Sequence, residues 1–187
     1  MVANQIQFND AGLHPVMRQN IELAHYHRPT PIQAYTIPAI LQGFDIVACS
    51  QTGKLNVFPV YFADLQQGSG KTASFLIPVL SKLMGKAKKL AAPRPLPTAS
   101  PEEIRSFRGE PLVLIVAPTR ELAVQIFNEA RRFCYRSMLR PAVVYGGAPL
   151  PEQRLELKKG CDVLIGTPGR LCDFMDQPHV LSLNRLK

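Results

Sequence analysis

The stretch Gly68-Ser69-Gly70-Lys71-Thr72 holds the residue types that a bound polyphosphate requires. Glycines let main-chain N–H groups turn inward around phosphate oxygens, and a helix that starts there adds the positive end of its dipole. A lysine reaches the β- and γ-phosphates and a threonine hydroxyl ligates Mg²⁺, tasks that fall to Lys71 and Thr72. A chance glycine-rich turn would supply the same pentapeptide. The strict spacing Gly-x-x-x-x-Gly-Lys-Thr also fails, because Leu65 stands where the first glycine belongs. A second fragment of such a loop, Ser50-Gln51-Thr52-Gly53, lies upstream, and residues 54–68 separate the two.

The elements that would position these residues are legible from periodicity. Residues 13–26 and 31–42 carry helical spacing, the second begun by Pro31 and ended by Gly43. Residues 45–49, "DIVAC", form a short apolar run that suits a buried strand. Residues 71–84 read as a helix that Pro78 should kink or shorten. Residues 85–111 are rich in Pro, Lys and Arg and predict an extended surface connection, with one helical turn around "PEEIRSF". Then come a strand "LVLIVA", an amphipathic helix capped by Thr119, a strand "AVVYGG", a helix stopped by Gly160, a strand "DVLIG" and a final short helix "RLCDFMDQ". Alternating strand and helix imply an α/β fold, a mostly parallel sheet with helices on both faces. Ligands bind such sheets at the loops that leave the carboxyl ends of the strands.

Four further stretches, "YHRPTPIQ" (26–33), "APTRELA" (117–123), "YGG" (145–147) and "TPGR" (167–170), follow in an order that resembles the first RecA-like domain of DEAD-box ATP-dependent RNA helicases. The resemblance covers nearly the whole chain outside 54–68. It is nearest the Vasa and Ded1-like branch, on the Pro-rich connection, "RSFRGEPLVLIVAPTREL" and "VVYGG". It implies a Q-motif region at 1–34 and an incomplete RecA-like P-loop domain at 35–187, with ATP and Mg²⁺ as cofactors and RNA as partner. Gln33 would pair with the adenine edge as donor and acceptor at once, which a carboxamide can do and a carboxylate cannot. Phe8 would stack on the base, although an isolated aromatic there could equally cap the first helix. Arg28, Ser50, Gln51, Thr52, Gly53, Gly68, Ser69, Gly70, Lys71 and Thr72 would complete the nucleotide site, with Thr72 on the metal. His25 departs from the family's usual glycine. Pro118, Thr119, Arg120, Gly146, Gly147, Thr167, Pro168, Gly169 and Arg170 match motifs that hold an RNA backbone. Helix N-termini, glycine amides, hydroxyls and guanidinium groups suit phosphate oxygens, and without an aromatic row little base preference is expected.

The family hydrolyses ATP with an Asp-Glu-Ala-Asp segment on the following strand, a Ser-Ala-Thr motif and a second RecA-like domain. None of these occurs in the 187 residues, so the resemblance implies a chain truncated before the acidic motif and inactive as a fragment. A non-catalytic RNA-binding or inhibitory fragment is the alternative, and an unrelated P-loop phosphotransferase a further one. Deleting residues 54–68 joins Ser50-Gln51-Thr52-Gly53 directly to Ser69-Gly70-Lys71-Thr72. The excised residues include Val57, Phe58, Val60, Tyr61, Phe62 and Leu65, an apolar content unlike a surface insertion, while Pro59 makes them a poor central strand. A translated intron is the preferred reading: Gly53-Lys54-Leu55 can be coded with a GTAAGT donor, and Gln67-Gly68 can supply the closing AG.

A net charge of +8 agrees with an acidic partner such as nucleic acid. The longest apolar runs fall far short of the ~20 residues a bilayer requires. Cys49, Cys134, Cys161 and Cys172 show no CxxC spacing and predict reduced thiols in a cytoplasmic or nuclear protein.

Overall fold

Local capping chemistry fixes most of the helix boundaries. In a computed structural model that describes residues 7–49, 70–86, 92–96 and 98–186, helix α1 spans Pro15–Leu23, α2 Pro31–Gln42 and α3 Lys71–Met84. Proline opens α1 and α2, where its missing N–H costs no hydrogen bond. Gln33 Oε1 accepts the Thr30 N–H at 2.9 Å and closes a capping box at the head of α2, and Gly43 ends that helix at φ +95°. His25 lies at φ +61°, a conformation that glycine adopts freely and a side chain adopts at a cost of about 1–2 kcal/mol.

The chain divides into two compact units, residues 1–85 and 86–187. In the first, α1 and α2 both pack on α3. Leu76, Ile77 and Leu80 recur at helical spacing and are fully buried with Met17, Ile21 and Ile37. Two polar contacts add to this packing: Ser81 Oγ accepts the His14 N–H at 2.8 Å, and Lys82 Nζ donates to the Ile40 carbonyl at 3.1 Å. Pro78 neither ends nor shortens α3, which continues to Met84 with Pro78 itself buried. The "DIVAC" expectation is corrected. Residues 44–49 form no strand, Val47 is 94% exposed, and no ladder partner meets them among the described residues. An apolar run becomes a strand only where another strand takes up its amides and carbonyls.

The second unit is built on three parallel strands, β1 (Val113–Val116), β2 (Pro141–Val144) and β3 (Val163–Gly166), in the order β1-β3-β2. Helix α4 (Pro101–Ser106) precedes β1, and a capping box between Ser100 and Glu103 opens it. The crossover helices are α5 (Arg120–Phe133) and α6 (Leu150–Lys158), and α7 (Pro168–Met175) follows β3. The path steps from β1 past β3 to β2 and then back. Right-handed crossovers therefore place α5 and α6 on opposite faces of the sheet. β3 is buried at every residue, as a central strand covered on both faces must be. Alternate residues Ala142, Val144 and Leu164 join Leu157, Leu171 and Phe174 in one core cluster.

The Pro-rich connection is anchored at Ala92 and Arg94. Asp162, fully buried at the foot of β3, accepts the Ala92 N–H at 2.9 Å and the Arg140 N–H at 2.8 Å, and pairs with the Arg94 guanidinium. The neighbouring thiols of Cys134 and Cys161 are each pushed up to about 12, first by burial and then by the Asp162 charge, with Arg140 and Arg94 opposing the rise at Cys161. Cys49 and Cys172 are exposed. Iodoacetamide at pH 8 should therefore modify Cys49 and Cys172 in the native chain, and Cys134 and Cys161 only after denaturation, as peptide mapping would record. The raised values also set a pH dependence. Below the ordinary thiol value near 9 both states hold the proton and nothing is lost. Between there and about 12 the unfolded chain ionises while the folded chain does not, so stability falls by up to about 1.4 kcal/mol per pH unit for each thiol.

Candidate functional site

In the first unit, Gly70 sits at the N-cap of the 14-residue helix α3 in the left-handed conformation, φ +76°. A Cβ there would lie 2.6 Å from Gln33 Nε2 and 2.7 Å from Thr30 Oγ1, so only glycine lets the chain pass this close to α2. Gln33 Nε2 donates to the Gly70 carbonyl at 3.2 Å. Lys71 and Thr72 form the first turn of α3 and are half-buried. The phosphate end thus fits a nucleotide: a helix N-terminus with no side chain in its cap, a lysine and a hydroxyl. Ser50, Gln51, Thr52, Gly53, Gly68, Ser69 and the whole stretch 54–68 lie outside the described residues.

Two of the residues expected at the base share one small pocket. Phe8, in a 3₁₀ turn at Phe8–Asp10, and Gln33 do line one pocket together with Pro29, Ala34, Ile37 and Pro38. That space amounts to only about 10 Å³, room for one water and no more. Phe8 is 6% exposed and Gln33 fully buried, its carboxamide engaged by Thr30 and Gly70. A purine does not fit this space as it stands. Arg28 is exposed nearby in sequence and lines none of this pocket.

In the second unit the strands end level. Val116 and Val144 both stand in register with Gly166, the last residue of β3. The loops that follow, 117–119, 145–149 and 167, therefore leave one edge of the sheet and bring three separate sequence motifs together. Thr119 Oγ1 accepts the Leu122 N–H at 3.3 Å and the first intrahelical bond of α5 runs from Ala123 N–H to the Thr119 carbonyl, so the amides of Arg120 and Glu121 precede it. In α7 the first such bond is Leu171 N–H to the Thr167 carbonyl at 3.0 Å, ahead of which stand Pro168 and the amides of Gly169 and Arg170. Gly146 and Gly147 are exposed between the helices, Gly147 at φ +81°. Pro118, Thr119, Arg120, Pro168 and Gly169 are also exposed, and Thr167 is half-buried.

Arg120 lies over the Tyr145 ring, 4.8 Å from its centroid. Stacking of this kind uses the guanidinium face and leaves the N–H edges free to donate. Arg170 differs from expectation. Its side chain is 9% exposed, Nη1 donates to the Ala148 carbonyl at 3.1 Å, and Nε lies 3.2 Å from Asp173 Oδ2 without the alignment of a hydrogen bond. Its guanidinium therefore braces the glycine loop, and only its amide faces outward with the helix start. Sequence reasoning gives two participants no role. Tyr145 stands in the "YGG" stretch as the end of a strand, and Gln153 as one polar residue among many on α6. A Gln eight residues beyond a half-buried aromatic carries no motif.

Level strand ends, crossover helices on both faces and a glycine–lysine helix start define an α/β, RecA-like domain. The comparisons agree. The crystal structure of the RNA-helicase Prp28 from Chaetomium thermophilum bound to ADP superposes with a TM-score of 0.69 at 30% identity over 96% of this chain. This chain spans 36% of that protein. The DEAD/DEAH box helicase family model matches residues 30–187, and the chain belongs to that family. Membership sets aside the unrelated phosphotransferase. No helix among the described residues is long and apolar enough to cross a membrane.

Proposed function

We propose that this chain supplies the first RecA-like domain of a DEAD-box RNA helicase of the Vasa and Ded1-like branch, and that its carboxyl edge holds an RNA backbone without reading its bases. The observation that carries the reading is the level ending of three strands, which gathers Thr119, Arg120, Gly146, Gly147, Thr167, Gly169 and the Arg170 amide on one edge. Main-chain N–H groups, hydroxyls and one stacked guanidinium recognise phosphate and carry no base code. The "RSFRGEPLVLIVAPTREL" and "VVYGG" stretches support the branch.

Gly70, Lys71 and Thr72 would hold the phosphates and Mg²⁺, the remaining loop residues Ser50, Gln51, Thr52, Gly53, Gly68 and Ser69 would close around them, and Phe8, Arg28 and Gln33 would meet the adenosine once the base pocket opens. ATP, when bound, supplies the free energy for strand separation in the whole protein. Residues 1–34 would serve as the Q-motif region and 35–187 as the domain proper. Residues 54–68 are interpreted as a retained intron. The 187 residues contain no Asp-Glu-Ala-Asp segment, so hydrolysis is not assigned to them, and RNA binding without turnover is the activity they are expected to show.

Equal-length poly(U) and poly(A) strands should bind the chain within a few-fold of one another, with log K falling as log salt rises by about 0.7 for each phosphate that a Lys or Arg neutralises. Arg120→Ala should weaken both alike and flatten the slope by about one contact. Fluorescence anisotropy across a salt series measures this. A strong preference for one sequence, or an affinity indifferent to salt, contradicts the reading.

A further inference from the structure

We propose that Gln153 is a positioning residue for RNA binding: it shapes the loop Tyr145–Ala148 from beneath, so that the Gly146 and Gly147 amides face the ligand. The inference rests on the reading that this loop holds RNA.

Gln153 lies within α6 and is 8% exposed. Its Oε1 accepts the Tyr145 N–H at 2.9 Å, and its Nε2 donates to the Tyr145 carbonyl at 3.1 Å and to the Ala148 carbonyl at 3.3 Å. Both N–H groups of the carboxamide are used, along with its oxygen. The reason lies in the sheet. Val144 is the last residue of β2, and its carbonyl still accepts the Thr167 N–H at 3.0 Å. One residue later the neighbouring chain has turned into α7, so Tyr145 has lost its strand partner. Gln153 takes that partner's place, pairing with both main-chain groups of Tyr145 as a strand would. An amide side chain can do this because it is donor and acceptor together.

The consequences pass to all three motifs. With Tyr145 and Ala148 both tied to Gln153, the two glycines between them bulge away from the sheet, Gly147 at φ +81°. Their amides meet no acceptor among the described residues. Ala148 receives a second donor from Arg170, which belongs to the loop after β3, and the Tyr145 ring carries Arg120 from the loop after β1. Gln153 thus sets the one segment on which the other two motifs rest, without presenting an atom to the ligand.

Gln153→Met keeps length and apolar bulk but makes none of the three hydrogen bonds. RNA affinity of the 187-residue chain should fall on the order of ten-fold under conditions where circular dichroism shows both chains folded, even though the unpaired main-chain groups lower the urea midpoint. Gln153→Glu adds a readout that a merely structural role would not move. The ionised carboxylate faces two carbonyls and cannot donate, whereas the protonated acid can. Its RNA affinity, taken relative to the unsubstituted chain at each pH, should recover as pH falls from 7.5 to 5.5. Gly147→Val, within the loop itself, separates the two levels of the argument. If Gly147→Val weakens RNA binding and both Gln153 variants bind normally, the positioning role is overturned and the RNA edge stands. If Gly147→Val binds normally, the loop does not hold RNA and both proposals fail. A relative affinity for Gln153→Glu that ignores pH also overturns the positioning role.

Discussion

Excision of residues 54–68 should raise the affinity of this chain for Mg²⁺-ATP by about a hundred-fold. The chemistry is in the joined sequence, where Ser50-Gln51-Thr52-Gly53 runs directly into Ser69-Gly70-Lys71-Thr72. A phosphate loop works because strand and helix dictate its geometry on either side, so its amides are already aimed when the ligand arrives. The entropy of closing a loop fifteen residues longer is modest, on the order of a few kcal/mol at most. The larger effect is alignment: two charge-assisted hydrogen bonds left unmade cost roughly 3 kcal/mol together, which is about a hundred-fold in binding. Lys71→Ala in the excised chain should then return the affinity to that of the interrupted one, because the ammonium is the only full charge that α3 offers the phosphates in its first turn. A fluorescent ATP analogue, competed with ATP and GTP, reads both effects. ATP should compete better than GTP if Gln33 reaches the base. Equal binding by the excised and interrupted chains, or indifference to Lys71→Ala, would count against the phosphate-loop assignment.

Asp162→Ala should cost about 3–5 kcal/mol of stability, as much as truncating a buried aromatic. The carboxylate is fully buried and serves three donors: the amides of Ala92 and Arg140 and the Arg94 guanidinium. Alanine would take the acceptor from both amides, that of Ala92 in a buried site and that of Arg140 in a part-buried one. It would also release the Pro-rich connection from the foot of β3, where Arg94 is further held by the Met138 carbonyl at 2.8 Å. Asp162→Asn should lose roughly half as much, since its oxygen still accepts an amide while its charge is gone. Urea denaturation followed by circular dichroism gives the difference in midpoint. A loss below about 1 kcal/mol for the alanine variant would mean that the connection is not anchored there.

These cases show what the sequence carried openly. The helices from 71 and 120, the strands at 113, 141 and 163, and the stops at Gly43 and Gly160 are written in periodicity and caps, which are local. The three motifs proposed to hold RNA were legible because each sits at a strand end, and register alone then makes them meet. "DIVAC" misled because apolar content reports a wish to be buried, and a strand further requires a neighbour with open hydrogen bonds. Pro78 did not shorten α3 because a proline inside an otherwise well-packed helix gives up one bond, and the burial of Leu76, Ile77 and Leu80 outweighs it. Asp162 and Gln153 were invisible for a related reason. Each acts on main-chain groups outside its own element, and nothing in side-chain spacing announces a backbone partner. Arg170 carried the expected side chain at the expected position and yet spends its charge inward, a matter of packing that a motif does not encode.

The most direct test of the account is a titration of single-stranded RNA into the ¹⁵N-labelled chain, followed amide by amide. The account predicts shifts concentrated at Arg120, Glu121, Gly146, Gly147, Gly169 and Arg170, with little change along the rest of α5. Shifts centred instead on Arg131, Arg132 and Arg136, with Gly146 and Gly147 unmoved, would place RNA elsewhere and contradict it.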